Sequence, residues 1–193
     1  MSGTPLAKGA SALFFFVGSA FAQAQHGPAA AIAGQVEAMR VFASMDGVWR
    51  GPAWTLQANG EKRNITQTER IGPFLGGSVK VIEGRGYTAD GNVGFNALGI
   101  VSYNPATRAY SLRSYALGYA GDFAFTPTAD GYAWEVAAGP GATIRYVATI
   151  RDGTLREVGD RIGADQPPLR IFEMELKRVG DTGWPADNPV PQK

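Results

Sequence analysis

Eight polar residues stand in strand-like stretches where a sheet would carry some of them inward: Glu69, Glu83, Arg85, Tyr87, Arg113, Tyr115, Arg145 and Glu157. Arginine's planar fork meets a carboxylate with two parallel hydrogen bonds. Arg85 or Arg113, with Tyr87 or Tyr115, is therefore suited to grasp an anionic head group whose apolar body fills an interior. Glu83, Trp134 and Tyr146 complete this candidate ligand-binding set. Glu83 and Glu157 offer a second chemistry. Paired carboxylates in a dry cavity have their proton affinities pushed apart, as the acid and base of a hydrolase or isomerase require. The third reading is structural: arginine and glutamate pair with each other or project outward. Trp49, Trp54, Trp134, Phe95, Phe123, Phe125, Phe172 and the tyrosines then fill the core. An arginine buried without a partner is very unfavourable, so each inward one requires protein or ligand opposite it.

Other chemistries are excluded by what is missing. His26 is the single histidine, near the N-terminus, and there is no cysteine. Histidine-ligated haem, the usual zinc and copper sites, and triads that need imidazole all lose their essential group. No cofactor is expected. Gly84-Arg85-Gly86 lacks the rest of a dinucleotide fingerprint; inside a strand such glycines permit a bulge or a close backbone approach. The formal net charge is +1 over 193 residues, which gives no reason to expect nucleic acid or an anionic membrane as a partner.

The elements that must hold these residues are short strands. From Val48 to Val179, turn signals recur at Asn59-Gly60, Gly76-Gly77, Asp90-Gly91, Asn104-Pro105, Gly121-Asp122, Asp130-Gly131, Gly139-Pro140-Gly141 and Asp152-Gly153, and again from Asp165 to Pro168. They divide the segment into about ten runs of strand length with no helix between them. Closure into an antiparallel up-and-down barrel removes the exposed edges of such a sheet. Asn59-Gly60 favours a type I′ hairpin turn.

Ahead of the strands, Lys8, the apolar run Ala10 to Ala20 and Ala20-Phe21-Ala22 read as a signal peptide over residues 1–22. The expected product, cut after Ala22, is periplasmic or secreted and carries no stable membrane anchor. Residues 28–45 read as one amphipathic helix, with Pro28 at its start and Ile32, Val36, Met39 and Ala43 in a stripe. It is expected to lie across one end of a barrel spanning residues 46–180. Residues 181–193 read as a Pro-rich flexible tail, its start pinned by Trp184.

Alternation assigns faces unevenly. Ile144, Tyr146, Ala148 and Ile150 form one apolar face, as do Phe172, Met174 and Leu176. Elsewhere the faces are mixed: Val79 and Val81 share one with Glu83, Arg85 and Tyr87, and Arg113 and Tyr115 share one with Leu117. A barrel with a partly polar cavity would show this.

One ordered set of motifs carries a resemblance. Met45-Asp46-Gly47-Val48-Trp49-Arg50-Gly51 is followed by Glu69-Arg70, Leu75-Gly76-Gly77 and Glu83-Gly84-Arg85-Gly86-Tyr87. Gly99 through Thr107 and Phe172-Glu173-Met174 then complete it. Over roughly residues 40 to 180, the chain resembles an exported bacterial family of uncharacterised function assigned a lipocalin-like, or calycin-like, barrel. The resemblance implies the barrel and, by analogy, a small apolar or amphipathic ligand. It transfers no catalytic residue.

Overall fold

The computed structural model describes residues 27–164 and 166–183. The expected leader, His26 and most of the tail, Trp184 included, lie outside them. Ten strands form one closed antiparallel barrel: β1 Gly47–Leu56, β2 Lys62–Phe74, β3 Val79–Tyr87, β4 Val93–Asn104, β5 Ala109–Ala116, β6 Tyr119–Thr128, β7 Gly131–Ala137, β8 Ala142–Arg151, β9 Thr154–Gly163 and β10 Gln166–Gly180. Each strand pairs with its chain neighbours, and β1 closes the ring against β10. Val48 faces Gly180 and Ala53 faces Met174 across that seam. No sheet edge is left open, as expected for a meander of this many strands.

The hairpins differ in turn chemistry. Leu117-Gly118 and Asp152-Gly153 have positive φ at both central residues, the type I′ signature. Asn59-Gly60 does not: only Gly60 has positive φ, and its N–H donates to Gln57 O while Gln57 N–H donates to Glu61 O. The chain thus spends three residues there, with glycine in the left-handed position, and Asp90-Gly91 repeats the pattern. The turn expected at Gly121-Asp122 falls inside β6; the chain reverses four residues earlier, at Leu117-Gly118.

The N-terminal helix is shorter than the stripe predicted. α1 runs from Pro28 to Met39, and a 3-10 segment, α2, follows from Arg40 to Met45. The tighter winding rotates the buried face. Ile32 and Ala43 are exposed, while Met39, Phe42 and Met45 are buried. Phe42 reaches into the end of the barrel, edge-on to Tyr110 and tilted on Phe125, with ring centroids 5.1 Å apart in each pair. Tyr110 Oη donates to Ala38 O at 2.9 Å, and Gln35 Nε2 to Tyr103 O at 3.2 Å. Beside them Lys80 is buried against Asp46.

That end of the bore is fully packed. Phe42, Met45, Trp49, Ile71, Val101, Leu155 and Leu176 are the large side chains with almost no exposure, and Trp49 Nε1 is satisfied by Met45 O at 2.9 Å. Toward the other end the inward residues Ile65, Phe123, Trp134, Tyr146 and Phe172 are only half-buried. Among the described residues, no helix is long and apolar enough to cross a membrane.

Candidate functional site

The ladder between β2 and β3 settles which of their residues face the bore. Gln67 pairs with Gly86, Thr68 with Arg85, Glu69 with Gly84 and Arg70 with Glu83. Directly opposed residues share a face. A Cβ built on Gly84 would come within 2.9 Å of Glu69 Oε1, and one on Gly86 within 3.1 Å of Gln67 Oε1. Gln67, Glu69, Gly84 and Gly86 therefore point inward together, and Glu83, Arg85 and Tyr87 point outward. The expectation that these three line a cavity is corrected. The two glycines supply close backbone approach beneath Gln67 and Glu69, and the charged residues between them take the water side. There Arg85 Nη2 donates to Glu83 Oε1 at 2.8 Å.

The second arginine is likewise external. Leu112 points inward and pairs with Phe123, so Arg113 and Tyr115 take the outer face. Arg113 is ion-paired with Asp122, its guanidinium 5.4 Å from the Tyr115 ring. Arg145 meets Glu135 at 3.6 Å, also outside. Glu83 and Glu157 sit on opposite sides of the barrel wall and do not face each other as an acid and base. The arrangement of arginine with carboxylate outside the barrel is the structural reading of these residues.

Of the eight polar candidates, Glu69 and Glu157 are inside, 8% and 7% exposed. Their neighbours are largely aromatic. Trp134 Nε1 donates to Glu157 Oε1 at 2.8 Å and Tyr132 Oη to Oε2 at 3.4 Å. Tyr146 stacks on Trp134 with centroids 4.3 Å apart and planes 12° apart, and meets Phe172 edge-on at 5.9 Å. Gln67 Nε2 donates to Glu69 Oε1 at 2.7 Å; Glu69 Oε2 is buried and has no hydrogen-bond partner among the described residues. Met174, paired with both Glu157 and Ala53, leads across β10 and β1 from one carboxyl to the other. Small residues, Ala53 and Gly51, occupy the inner face between them.

Burial sets the charge state of this pair. Loss of water pushes the Glu69 carboxyl up to about 8, against the Gln67 hydrogen bond, and the nearby Glu157 and Glu83 charges push the same way. Burial also pushes Glu157 up to about 7, although Trp134 and Tyr132 donate to it. Tyr132 and Tyr146 are raised for the same reason, Tyr146 to about 12, with Glu157 adding to both. Near neutral pH, Glu69 is mostly a protonated acid with a proton to donate. Cations of the inward phase stand away from it: Lys80 at the helix end with Asp46, and Arg63 and Arg161 on exposed ends of their strands.

Sequence reasoning placed Glu69 and Glu157 among its polar residues but missed Gln67 and Tyr132 as their companions. The available signal was Gln67-x-Glu69-x-Ile71, a period-2 set leading into an apolar residue. No group of three or more histidine, cysteine or acidic residues able to hold a metal occurs among the described residues. Two clefts lie outside the bore: one between α1, α2 and β3, lined by Val36, Met39, Ala43, Val79 and Lys80 among others, and one on the rim beside Phe95 and Leu117.

Fold and site together define a closed ten-stranded antiparallel barrel with an acidic, aromatic bore and a short helix over one end. The crystal structure of Rv2717c from M. tuberculosis is similar to it: TM-score 0.55 and 12% identity, covering 74% of this chain and 97% of that one. At that identity the likeness bears on the fold alone. No family model and no curated protein matches the sequence.

Proposed function

We propose that this is an exported barrel that binds a small, mostly apolar molecule in the half of its bore facing away from the helix. One observation carries the reading: the bore is packed unequally along its length. Fully buried residues crowd the end under Phe42 and Met45, while Phe123, Trp134, Tyr146 and Phe172 keep partial access to solvent at the other. A wall of aromatic residues with a few convergent polar groups is the usual make-up of a small-molecule site. The outward arginines remove support for an anionic head group held by Arg85 or Arg113.

A second reading, a filled structural barrel, is favoured by the tight fit of the interior. A Cβ on Gly159 would lie 2.7 Å from the Tyr146 ring, and one on Gly86 would lie 2.6 Å from Ile65 Cδ1. Native mass spectrometry of protein purified from its own host separates the two. A reproducible small-molecule adduct, lost on Trp134→Ala but not on Arg85→Ala, is the expected result. A bare apo mass, unchanged by added fatty acids, isoprenoids and aromatic hydrocarbons, would favour the filled barrel.

A further inference from the structure

We propose that Glu69 and Glu157 are the polar floor of the bore and receive a cationic nitrogen, a protonated amine or amidine carried on an apolar body. The inference rests on the binding reading above and names the ligand class. Three observations point the same way. Glu69 Oε2 is buried and has no partner among the described residues, although nearly all buried polar atoms in proteins are satisfied. Glu157 stands on the same inner wall, opposite Met174, which in turn faces Ala53 on the strand beside Glu69. The walls beside them are electron-rich ring faces, Trp134 and Tyr146 stacked and Tyr132 adjoining, and such faces attract organic cations.

An ammonium group placed between the carboxyls would supply the donor that Oε2 lacks and the charge that lets both acids ionise. Binding would then release protons. The described elements packed against the pair present no competing cation. β1 presents Trp49 and Ala53, β3 presents Gly84, β10 presents Met174, β2 adds Gln67, β7 adds Tyr132 and Trp134, and β8 adds Tyr146. None is basic, and Glu83 on the outer face is acidic.

Three probes of similar shape test the idea: phenethylamine as the cation, propylbenzene as the neutral form and 3-phenylpropionate as the anion. The indole N–H resonance of Trp134, assigned by Trp134→Phe, reports occupancy of the bore. Phenethylamine is expected to bind at least about tenfold tighter than propylbenzene, the scale of a charged hydrogen bond. Its affinity should rise with pH from 6 to 9; Glu69→Gln should weaken the preference and the pH dependence, and Glu69→Gln with Glu157→Gln together should abolish both. Glutamine keeps the side chain's shape and neutrality, and a circular dichroism spectrum matching the parent confirms that the variant folds; Glu157→Gln provides a second such test. Equal binding of amine and hydrocarbon, or an amine preference that survives both substitutions, would overturn the carboxyl assignment while leaving apolar binding intact. If none of the probes moves Trp134, the inference and the binding reading beneath it both fall.

Discussion

Glu69 shows how much of the chemistry depends on the direction of one side chain. Arg85 and Glu83 lie on the strand beside it and look more capable of recognition, yet they face water and each other. An exposed ion pair of this kind contributes little. A buried carboxyl contributes a large pH dependence instead. The folded chain holds the Glu69 proton more tightly than the unfolded chain does, with midpoints of about 8 and 4.5. Its contribution to stability is therefore fully present below the lower value and is lost as pH rises through the upper one. Glu69→Gln removes that loss. At about pH 9 the variant should be more stable than the parent by on the order of 3 kcal/mol, and the two should converge below about pH 5. Urea melts across that range check it; a constant offset would show that Glu69 titrates normally. The identity of Glu69 and Glu157 was legible in the sequence. The inward direction of Glu69 was not, because its β3 partner is Gly84, which carries no polarity to set a phase; that of Glu157, opposite Ala148 and Met174, needed the register.

Strands and turns were more legible than faces, since glycine, asparagine and aspartate mark a reversal through backbone freedom that a single sequence displays. The failures are local. Gly121-Asp122 looks like a turn, but the chain turns at Leu117-Gly118, where Leu117 adopts φ 52° with its side chain 71% exposed. A γ-branched residue has no intrinsic preference for that region, and hairpin closure imposes it. Leu117→Asn should therefore stabilise the barrel by about 0.5–1 kcal/mol, seen as a higher melting temperature. A lower one would mean that Leu117 packs on something. The helix tells a similar story. A 3.6-residue period placed Ala43 in the buried stripe, but the 3-10 segment places Phe42 and Met45 there. Phe42→Ala leaves a cavity between Tyr110 and Phe125 and should cost about 3–5 kcal/mol. Loss of 1 kcal/mol or less in a denaturant melt would place the helix off the barrel.

At the scale of the molecule, a meander of ten strands has few ways to satisfy its backbone, and closure of β1 on β10 is the one found here. Closure divides most side chains by polarity. Most arginines and most acids go outside, where they pair in surface contacts such as Arg156 with Glu173 and Arg170 with Asp160. The inside keeps Trp49, Phe125, Tyr132 and Trp134 together with Glu69 and Glu157. That partition follows from period-2 geometry once the register is known, and register is what an isolated sequence leaves open where both faces of a strand are mixed. Carbon-13 labelling of the glutamate side chains, with Glu69→Gln and Glu157→Gln to assign the signals, follows both carboxyls through a pH titration by NMR. The Glu69 carboxyl carbon should titrate near 8 and that of Glu157 near 7. A midpoint near 4.5 for both would put them in water and contradict the acidic bore.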